Sequence, residues 1–444
     1  MPSPIRHHLA RTVTALMGAT SLVALLPGAA RAQGAAAATA APSVQIYGTL
    51  VPMGDHVSVS GAGSSAPAVR PSMLTAGAYN GAGNGGQWRM QSSTANIGFR
   101  GSEPLGGGLT VFFQLEHGLA VDTGSVTGPP NSNRFWNRNT ALGLRGAFGS
   151  LFAGIWDTPM AWSHLGFTNG VRNPYAGDSS SVFVTPGFNI AHTAVLDARG
   201  NNSSDATFNR RQGNAIQYWS PNFSGFSFRL MHALAEGEKT AANGAKYSPT
   251  VNGLGTEYAS GPVLLRYAYQ QHNDYFGVAW MGSNSAANPD TTGSTTQSSK
   301  DSAHRLIARY TLSPMWQLQG AFDRQTFGAD GVAAGGVNRY ERDAWSLQVL
   351  MRMGVNTLWA NVGQAADGDC SRSGGAACIS DGLGAHMGSL GWRYDLSRRT
   401  DIFASVYEVR NRTSGQYGVF PRTVAGIAPG STQRGFTAGI EHSF

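Results

Sequence analysis

The sequence predicts an all-β protein, a sixteen-stranded antiparallel transmembrane β-barrel with short turns at one end and long loops at the other. Apolar and polar residues alternate over about ten residues per strand, as in barrel strands between lipid and water. Short and long links also alternate regularly. Charged residues are 13% and aromatic residues 10% of the chain, with 59 glycines among 444 residues, whereas a soluble domain carries about 25% charged residues.

The first 32 residues predict a cleaved export signal. A basic segment with Arg6 and Arg11 precedes an apolar stretch at 13–26, and Ala30 and Ala32 form a small-residue cleavage site. That stretch is short for a retained membrane helix, although an uncleaved anchor is the alternative. Residues 33–444 are predicted to be one barrel domain. They offer no run of ~18–20 apolar residues, so a closed barrel is the spanning structure that remains.

The predicted strands follow in hairpins. The first covers 44–51, the Gly-, Ser- and Pro-rich segment 52–86 predicts a long loop, and the second strand covers 87–100. Pro104 and the glycines after it predict a turn. The other fourteen strands are predicted at 109–118, about 134–147, 150–156, 210–219, 226–235, 251–258, 263–271, 303–312, 315–326, 342–353, 355–364, 383–395, 401–410 and 435–444.

The two faces of a strand differ most clearly in the last predicted strand. Phe436 and Ile440 share one face, while Thr437 and Glu441 share the other. A soluble sandwich also alternates, but seldom over ten to twelve residues in every strand. Strands five, thirteen and fifteen mix both residue types and cannot be oriented from the sequence. Sixteen strands leave an aqueous channel, and aromatic residues at strand ends, such as Trp219, predict an interfacial girdle.

Several function classes are disfavoured. The eleven histidines are scattered, and no GxSxG or HExxH motif occurs, so we expect no enzyme, metal site or cofactor. The glycines at 81, 83 and 86 precede no helix signal and are interpreted as loop residues. The arginines are spread singly and form no basic stripe, so we expect no nucleic-acid partner. Cys370 and Cys378 predict a local disulfide in an exported protein, with two free thiols as the alternative.

Three segments carry a family resemblance. Residues 95–109 read ANIGFRGSEPLGGGL and are followed at 113–116 by FQLE; residues 141–151 and 214–226 are similar to two later hairpins of the same family. Together with the ending His442-x-Phe444, they resemble the proteobacterial general-diffusion porins of Gram-negative bacteria. The resemblance implies a sixteen-stranded homotrimer in the bacterial outer membrane, whose long third loop folds into the barrel to form a constriction.

The resemblance also implies function and partners. Ions and small hydrophilic solutes would diffuse passively through a water-filled channel. A substrate-specific channel is the alternative; Trp88 is then a lone aromatic lumen candidate, although a rim residue is the favoured interpretation of it. Outer-membrane lipid and lipopolysaccharide would surround the barrel. Phe444 resembles the assembly signal that the barrel-assembly machinery reads in such proteins.

The candidate pore-lining residues follow from strand parity and from the resemblance. Family members often carry constriction arginines where this chain has Asn96, Ile155 and Gln217; Asn96 and Gln217 lie on the predicted lumen face. The third loop is expected between Asp157 and about residue 209, with acidic and basic residues of its own. An excess of arginine predicts a weak anion preference, although any single arginine can instead be a wall residue tied to a neighbouring strand. The charged candidates are Glu116, Asp157, Arg145, Arg211, Arg229, Arg266, Arg305, Arg309 and Arg393, and Glu257 and Asp323 join Glu116 in opposing the arginines.

Overall fold

A computed structural model gives the structure of most of the chain. It describes residues 43–61, 85–92, 94–124, 135–164, 179–183, 207–234, 239–241, 243–280, 285–289, 293–419 and 429–444. The predicted export signal at 1–32 lies outside these residues.

Sixteen antiparallel strands form the described barrel wall. The first two are each interrupted once: β1 comprises Ser43–Leu50 and Pro52–Ser60, and β2 comprises Gly85–Ser92 and Asn96–Gly106. The others are β3 Leu109–Gly118, β4 Thr140–Gly146, β5 Gly149–Asp157, β6 Arg211–Trp219, β7 Phe226–Ala233, β8 Thr250–Ser260, β9 Val263–Asn273, β10 Ser298–Thr311, β11 Trp316–Asp330, β12 Val337–Met353, β13 Asn356–Ala365 with its continuation Asp369–Arg372, β14 Ala385–Asp395, β15 Thr400–Asn411 and β16 Thr432–Ser443.

Short helical segments and one small hairpin lie in the loops. Two are α-helices, α1 at Pro159–His164 and α2 at Gly277–Trp280. None of the helices in the described ranges is long and apolar enough to cross a bilayer. The remaining elements are 3-10 turns at Ser179–Val182, Ser285–Ala287 and Ser373–Gly375 and a hairpin of Lys239–Thr240 with Lys246–Tyr247.

The barrel closes between its first and last strands. Each strand pairs with its sequence neighbour, and β16 pairs with β1 from Met53 opposite Gly439 to Ser60 opposite Thr432. The other segment of β1 pairs with β2, with Tyr47 opposite Gly98. Closure pairs each of the sixteen described wall strands on both sides, which is the condition for crossing lipid with strands. The predicted sixteen-stranded antiparallel barrel is confirmed.

The wall is apolar outside and polar over much of its inner face. In β12, Leu347 and Val349 are exposed on the outer face, whereas Ser346 and Gln348 point inward and are buried. β16 behaves the same way: Phe436 points outward, and Glu441 is fully covered inside. The alternation predicted from the sequence therefore corresponds to the two sides of the barrel wall.

The predicted loop at 52–86 is wrong in its bounds. β1 continues to Ser60, and β2 begins at Gly85. The sequence misled because the small residues Gly54 and Ser58 look like loop residues, yet they lie on the outer face between inward-pointing neighbours such as Val57. The fourth strand begins at Thr140, and the described residues 135–139 before it form turns and bends, so the strand predicted from about residue 134 is too long.

A face switch in β2 corrects the prediction for Trp88. Arg89 and Gln91 point inward before the interruption and contact Asp55, whereas the inward residues after it are Gly98 and its even-numbered neighbours. Thr94 lies at the interruption with φ +52°, and an irregular residue of this kind shifts the alternation by one. Trp88 consequently points outward and is 74% exposed, so it does not line the lumen.

Strands five, thirteen and fifteen could not be oriented because parts of the inner wall are apolar. In β15 the inward residues include Phe403, Tyr407 and Val409. Tyr407 and Val409 join a buried cluster with Val182 and Tyr417, which belong to loops folded into the barrel. Where a loop covers the wall, the inner face is a packed core instead of a wet surface, and polar alternation is lost.

Candidate functional site

The third loop folds into the barrel, as predicted. Its helix α1 follows Thr158, whose hydroxyl accepts a hydrogen bond from the backbone N–H of Ala161 at 3.2 Å. The helix lies on the inner face of β8, where a Cβ added to Gly253 would be 2.8 Å from Cδ of Pro159 and one on Gly255 would be 2.9 Å from Cζ3 of Trp162. Glycine at these two positions makes room for the helix.

A second part of the loop rests against the wall at β11, β12 and β13. The carbonyl of Val182 accepts a hydrogen bond from Nη1 of Arg342 at 3.1 Å, and the carbonyl of Phe183 accepts one from Gln325 at 2.8 Å. Val182 also packs near the inward-facing Gly363. The predicted loop charges Arg172, Asp178, Asp197, Arg199 and Asp205 lie outside the described residues.

Arg305 lies beneath this loop. It faces inward, as its parity predicts, but its side chain is fully buried and pairs with Asp323 at 2.7 Å. Its Nη1 donates to Oδ1 of Asn209 at 2.6 Å and to the carbonyl of Met160 at 3.4 Å. Arg342 is equally buried, 3.7 Å from the same carboxylate. Arg305 therefore anchors the loop to the wall and does not line an open channel.

A second set of arginines surrounds the short-turn end of the interior. Each lies on the inner face within a few residues of a short turn. The sequence had singled out five of the seven, and alternation could have found the other two, because Arg100 shares a face with Asn96 and Arg352 shares one with Gln348. We call these residues the arginine row: Arg100 of β2, Arg145 of β4, Arg229 of β7, Arg266 of β9, Arg309 of β10, Arg352 of β12 and Arg393 of β14.

Aromatic rings flank Arg229. Its guanidinium carbon lies 4.0 Å from the ring centre of Trp162 on α1 and 3.9 Å from that of Trp219. The guanidinium carbon of Arg266 lies 4.5 Å from the ring centre of the same Trp162, and Arg266 pairs with Glu257 at 2.6 Å. Such contacts favour a cation over an aromatic face. The prediction that Trp219 belongs to the interfacial girdle is wrong, since it shares the inner face with Gln217.

The other members of the row have mostly neutral partners. Nε of Arg145 donates to Oγ of Ser150 at 3.3 Å, and its guanidinium carbon lies 4.8 Å from the ring centre of Phe112. Nε of Arg100 donates to Oε1 of Gln45 at 2.9 Å. Arg352 donates to Oε1 of Gln317 at 3.0 Å. In contrast, Arg393 pairs with Asp395 at 3.0 Å.

The acidic candidates belong to a balanced cluster nearer the loop end. Glu116 pairs with Arg138, which the sequence analysis had not selected, and accepts a hydrogen bond from the hydroxyl of Tyr47 at 3.0 Å. Asp157 pairs with Arg211 at 3.2 Å. Two carboxylates thus meet two guanidinium groups.

The uncharged candidates lie beside this cluster. Nε2 of Gln217 donates to the carbonyl of Asp157 at 3.1 Å, and Nδ2 of Asn96 donates to the carbonyl of Thr94 at 3.0 Å. Ile155, which the family resemblance also placed near the constriction, lies on β5 opposite Thr140.

Two further predicted features lie away from the interior. Cys370 and Cys378 are joined by a disulfide with their Cα atoms 5.6 Å apart. Phe444 exchanges backbone hydrogen bonds with Gly48, at 3.0 and 3.2 Å, and its ring covers that glycine.

Known proteins similar to this chain are outer-membrane porins. Residues 18–414 match the Gram-negative porin family. The chain is 24% identical over 426 residues to outer membrane porin protein 32 of Delftia acidovorans, a match covering 96% of this chain and 99% of that protein. It is 26% identical over 260 residues to an outer membrane porin protein of Bordetella pertussis, covering 56% of this chain and 59% of that protein. The matches to several other curated relatives span about half of their length.

A solved structure shares the fold. The anion-selective porin from Comamonas acidovorans superposes with a TM-score of 0.65 at 20% sequence identity, over 91% of this chain and all of that chain. At this sequence identity, the superposition shows that the two chains share the barrel architecture.

Proposed function

Because this chain belongs to the Gram-negative porin family, we propose that it forms a passive channel through the bacterial outer membrane. Ions and small hydrophilic solutes diffuse through it down their gradients. One observation carries the proposal: a closed barrel is apolar outside and lined inside, at its short-turn end, by seven arginines on seven strands. A wall of this kind offers a polar path inside a surface that suits lipid.

The charge of the wall supports a preference for anions. The carboxylates of Glu116 and Asp157 are balanced by Arg138 and Arg211. Within the arginine row, Arg266 and Arg393 form ion pairs with carboxylates. Arg100, Arg145 and Arg352 have neutral partners, so their charge raises the local concentration of anions, and wall charges of this kind set selectivity in wide pores. We propose that Asn96 and Gln217 also line the path, without charge.

Planar bilayers test this function. The chain, expressed with the predicted export signal at 1–32 and purified from outer membranes, is added to a bilayer between two KCl solutions of different concentration. We expect stepwise conductance increases and a reversal potential of the sign that chloride permeation gives. The absence of steps would refute the channel, and clear cation selectivity would refute the anion preference.

We further propose that three copies associate in the membrane. Large apolar side chains on the outer face of β1 and β2 are unusually exposed: Val44 is 71% and Met90 is 69% accessible. Contact between copies would cover this patch, and close packing of side chains favours association within a bilayer. Lipid and lipopolysaccharide would cover the remaining outer surface. Chemical cross-linking in intact outer membranes should give a trimer, and a monomer as the largest product would refute this association.

Phe444 is proposed to act in assembly by the barrel-assembly machinery. Deleting it should lower the yield of folded barrel far more than the conductance of the barrels that form. The folded fraction is read from the mobility of unheated protein in SDS gels. A wild-type yield from the truncated chain would refute the role.

A further inference from the structure

A cavity in the inner wall combines flat aromatic rings with uncompensated arginines. It has a volume of about 430 Å³ and lies at the short-turn end, between β1 and β6. Its rings include Phe112, Phe152, Trp156 and Trp219, and its cations are Arg100 and Arg145. None of its described lining residues is acidic.

The rings form one packed group. Phe152 lies 5.0 Å from the ring centres of both Trp156 and Trp219, and it meets Phe112 edge-on at 6.0 Å. Phe152 is 4% exposed and packs behind the other rings, which holds them in place. A rigid aromatic wall prefers a flat partner, since stacked and edge-on ring pairs gain more than equal aliphatic area.

The two arginines give the cavity its charge preference. Both side chains are exposed, and each uses its Nε for a neutral acceptor, Oγ of Ser150 for Arg145 and Oε1 of Gln45 for Arg100. Glu116 lies two residues beyond Gln114 on the same strand face, but Arg138 pairs with it. An exposed arginine fork matches the two oxygens of a carboxylate group.

We infer that this cavity binds aryl carboxylates, meaning a flat aromatic ring that carries one carboxylate. The carboxylate meets Arg145 and Arg100, and the ring lies against Trp156 and Trp219. The inference rests on the proposed channel function, because the cavity opens to the barrel interior. It adds a class of solutes that bind during passage. Such solutes reduce the current through the channel instead of passing as freely as chloride.

The test measures block of the current by benzoate. Purified wild-type channels in a planar bilayer receive benzoate in increasing concentration at constant KCl, and cyclohexanecarboxylate is compared because it has the same charge without a flat ring. We expect saturable block by benzoate at a half-blocking concentration several-fold below that of cyclohexanecarboxylate. Equal block by the two acids would overturn the role of the rings.

Variants assign the block to the cavity. Arg145→Gln should raise the half-blocking concentration of benzoate about tenfold, equivalent to about 1.4 kcal/mol, and Arg145→Lys should recover part of it because the charge remains without the fork. Trp156→Leu should bring benzoate close to cyclohexanecarboxylate; if that variant does not fold, Phe112→Leu provides the same comparison. Arg324→Gln removes an arginine of the outer face that is paired with Asp343, and it should leave the block unchanged.

The outcomes separate the two proposals. Channels that never open in KCl would contradict the proposed function. Channels that open normally but show no benzoate block, or the same block in Arg145→Gln as in the wild type, would leave that function intact and overturn the aryl carboxylate site.

Discussion

The two halves of the barrel interior use arginine in different ways. Beneath the third loop, Arg305 and Arg342 are fully buried and share the carboxylate of Asp323. At the short-turn end, Arg145 is exposed and stacks on an aromatic ring beside a neutral hydroxyl. Both kinds of residue lie on inward faces of the barrel wall. Parity alone therefore tells which way an arginine points, while coverage by a loop decides whether it holds the structure or meets solutes.

The difference has an energetic basis. A buried guanidinium without a partner loses its hydration, so removing its carboxylate is costly. An exposed guanidinium keeps water on part of its surface, and its charge acts on the ions and solutes that pass through the lumen. Substitutions in the first group should therefore change stability, and substitutions in the second should change selectivity.

The largest effect is expected from Asp323→Asn. It leaves two buried arginines without a full counter-charge, and we expect a loss of about 3–5 kcal/mol in the free energy of unfolding. Urea titration of the refolded barrel in detergent measures it. The matched control is Asp343→Asn, which removes the partner of the exposed Arg324 on the outer face and should cost less than about 1 kcal/mol. Equal losses in both variants would mean that burial does not distinguish these pairs.

A smaller loss of stability is expected from Gly255→Val. The added side chain collides with Trp162, displaces α1 from the wall and disturbs the stack on Arg229. We expect the free energy of unfolding to fall by about 1–3 kcal/mol. Unfolding by urea and the scatter of single-channel currents both report it. Gly388→Val adds the same volume where an added Cβ meets no atom nearer than 3.7 Å. If this control is as damaging as Gly255→Val, the loop is not seated on these glycines.

Arg145→Glu should change selectivity with little change in stability. A unit charge about 8 Å from a passing ion is worth about 0.5 kcal/mol in water, and salt screening reduces this to roughly a third. The reversal changes the charge by two units and acts oppositely on chloride and potassium, so it should lower the chloride-to-potassium permeability ratio by roughly twofold to fivefold. Reversal potentials in a KCl gradient measure it. Arg324→Glu on the outer face is the control and should leave the ratio near the wild-type value. An unchanged ratio in Arg145→Glu would place the current path elsewhere.

The smallest effect is expected from reducing Cys370–Cys378. The bond joins two points of one loop, in line with the short continuation of β13, and does not belong to the arginine row. We expect conductance to stay within about 10% of the oxidised value, because selectivity and flow depend on the lumen wall. A large conductance change on adding reductant to open channels would contradict this placement.

Alternation predicted the fold because it follows directly from a wall between lipid and water. It also placed most of the inner arginines on the correct face. It could not locate the face switch between Ser92 and Asn96, which depends on one irregular residue, and so Trp88 was assigned to the wrong side. The apolar inner face of β15 was equally unpredictable, because the loops that pack against it include residues distant in sequence.

The candidate site was less predictable than the fold for the same reason. Partners such as Asp323 for Arg305 come from other strands, and the strand register is set only when the barrel closes. Local signals existed nonetheless. Gly253 and Gly255 lie on one face of a strand, and glycine repeated in this way marks a close approach of another segment. That segment is the third loop.

Cysteine accessibility tests the central claim most directly, since adjacent residues of one strand should meet opposite surroundings. Arg145→Cys and Leu144→Cys are each reconstituted in lipid and exposed to a negatively charged, water-soluble thiol reagent, with the current recorded throughout. We predict rapid modification of Arg145→Cys with a fall in current, and none of Leu144→Cys, which points outward. Modification of both at similar rates, or of Leu144→Cys alone, would contradict a water-filled interior within an apolar wall.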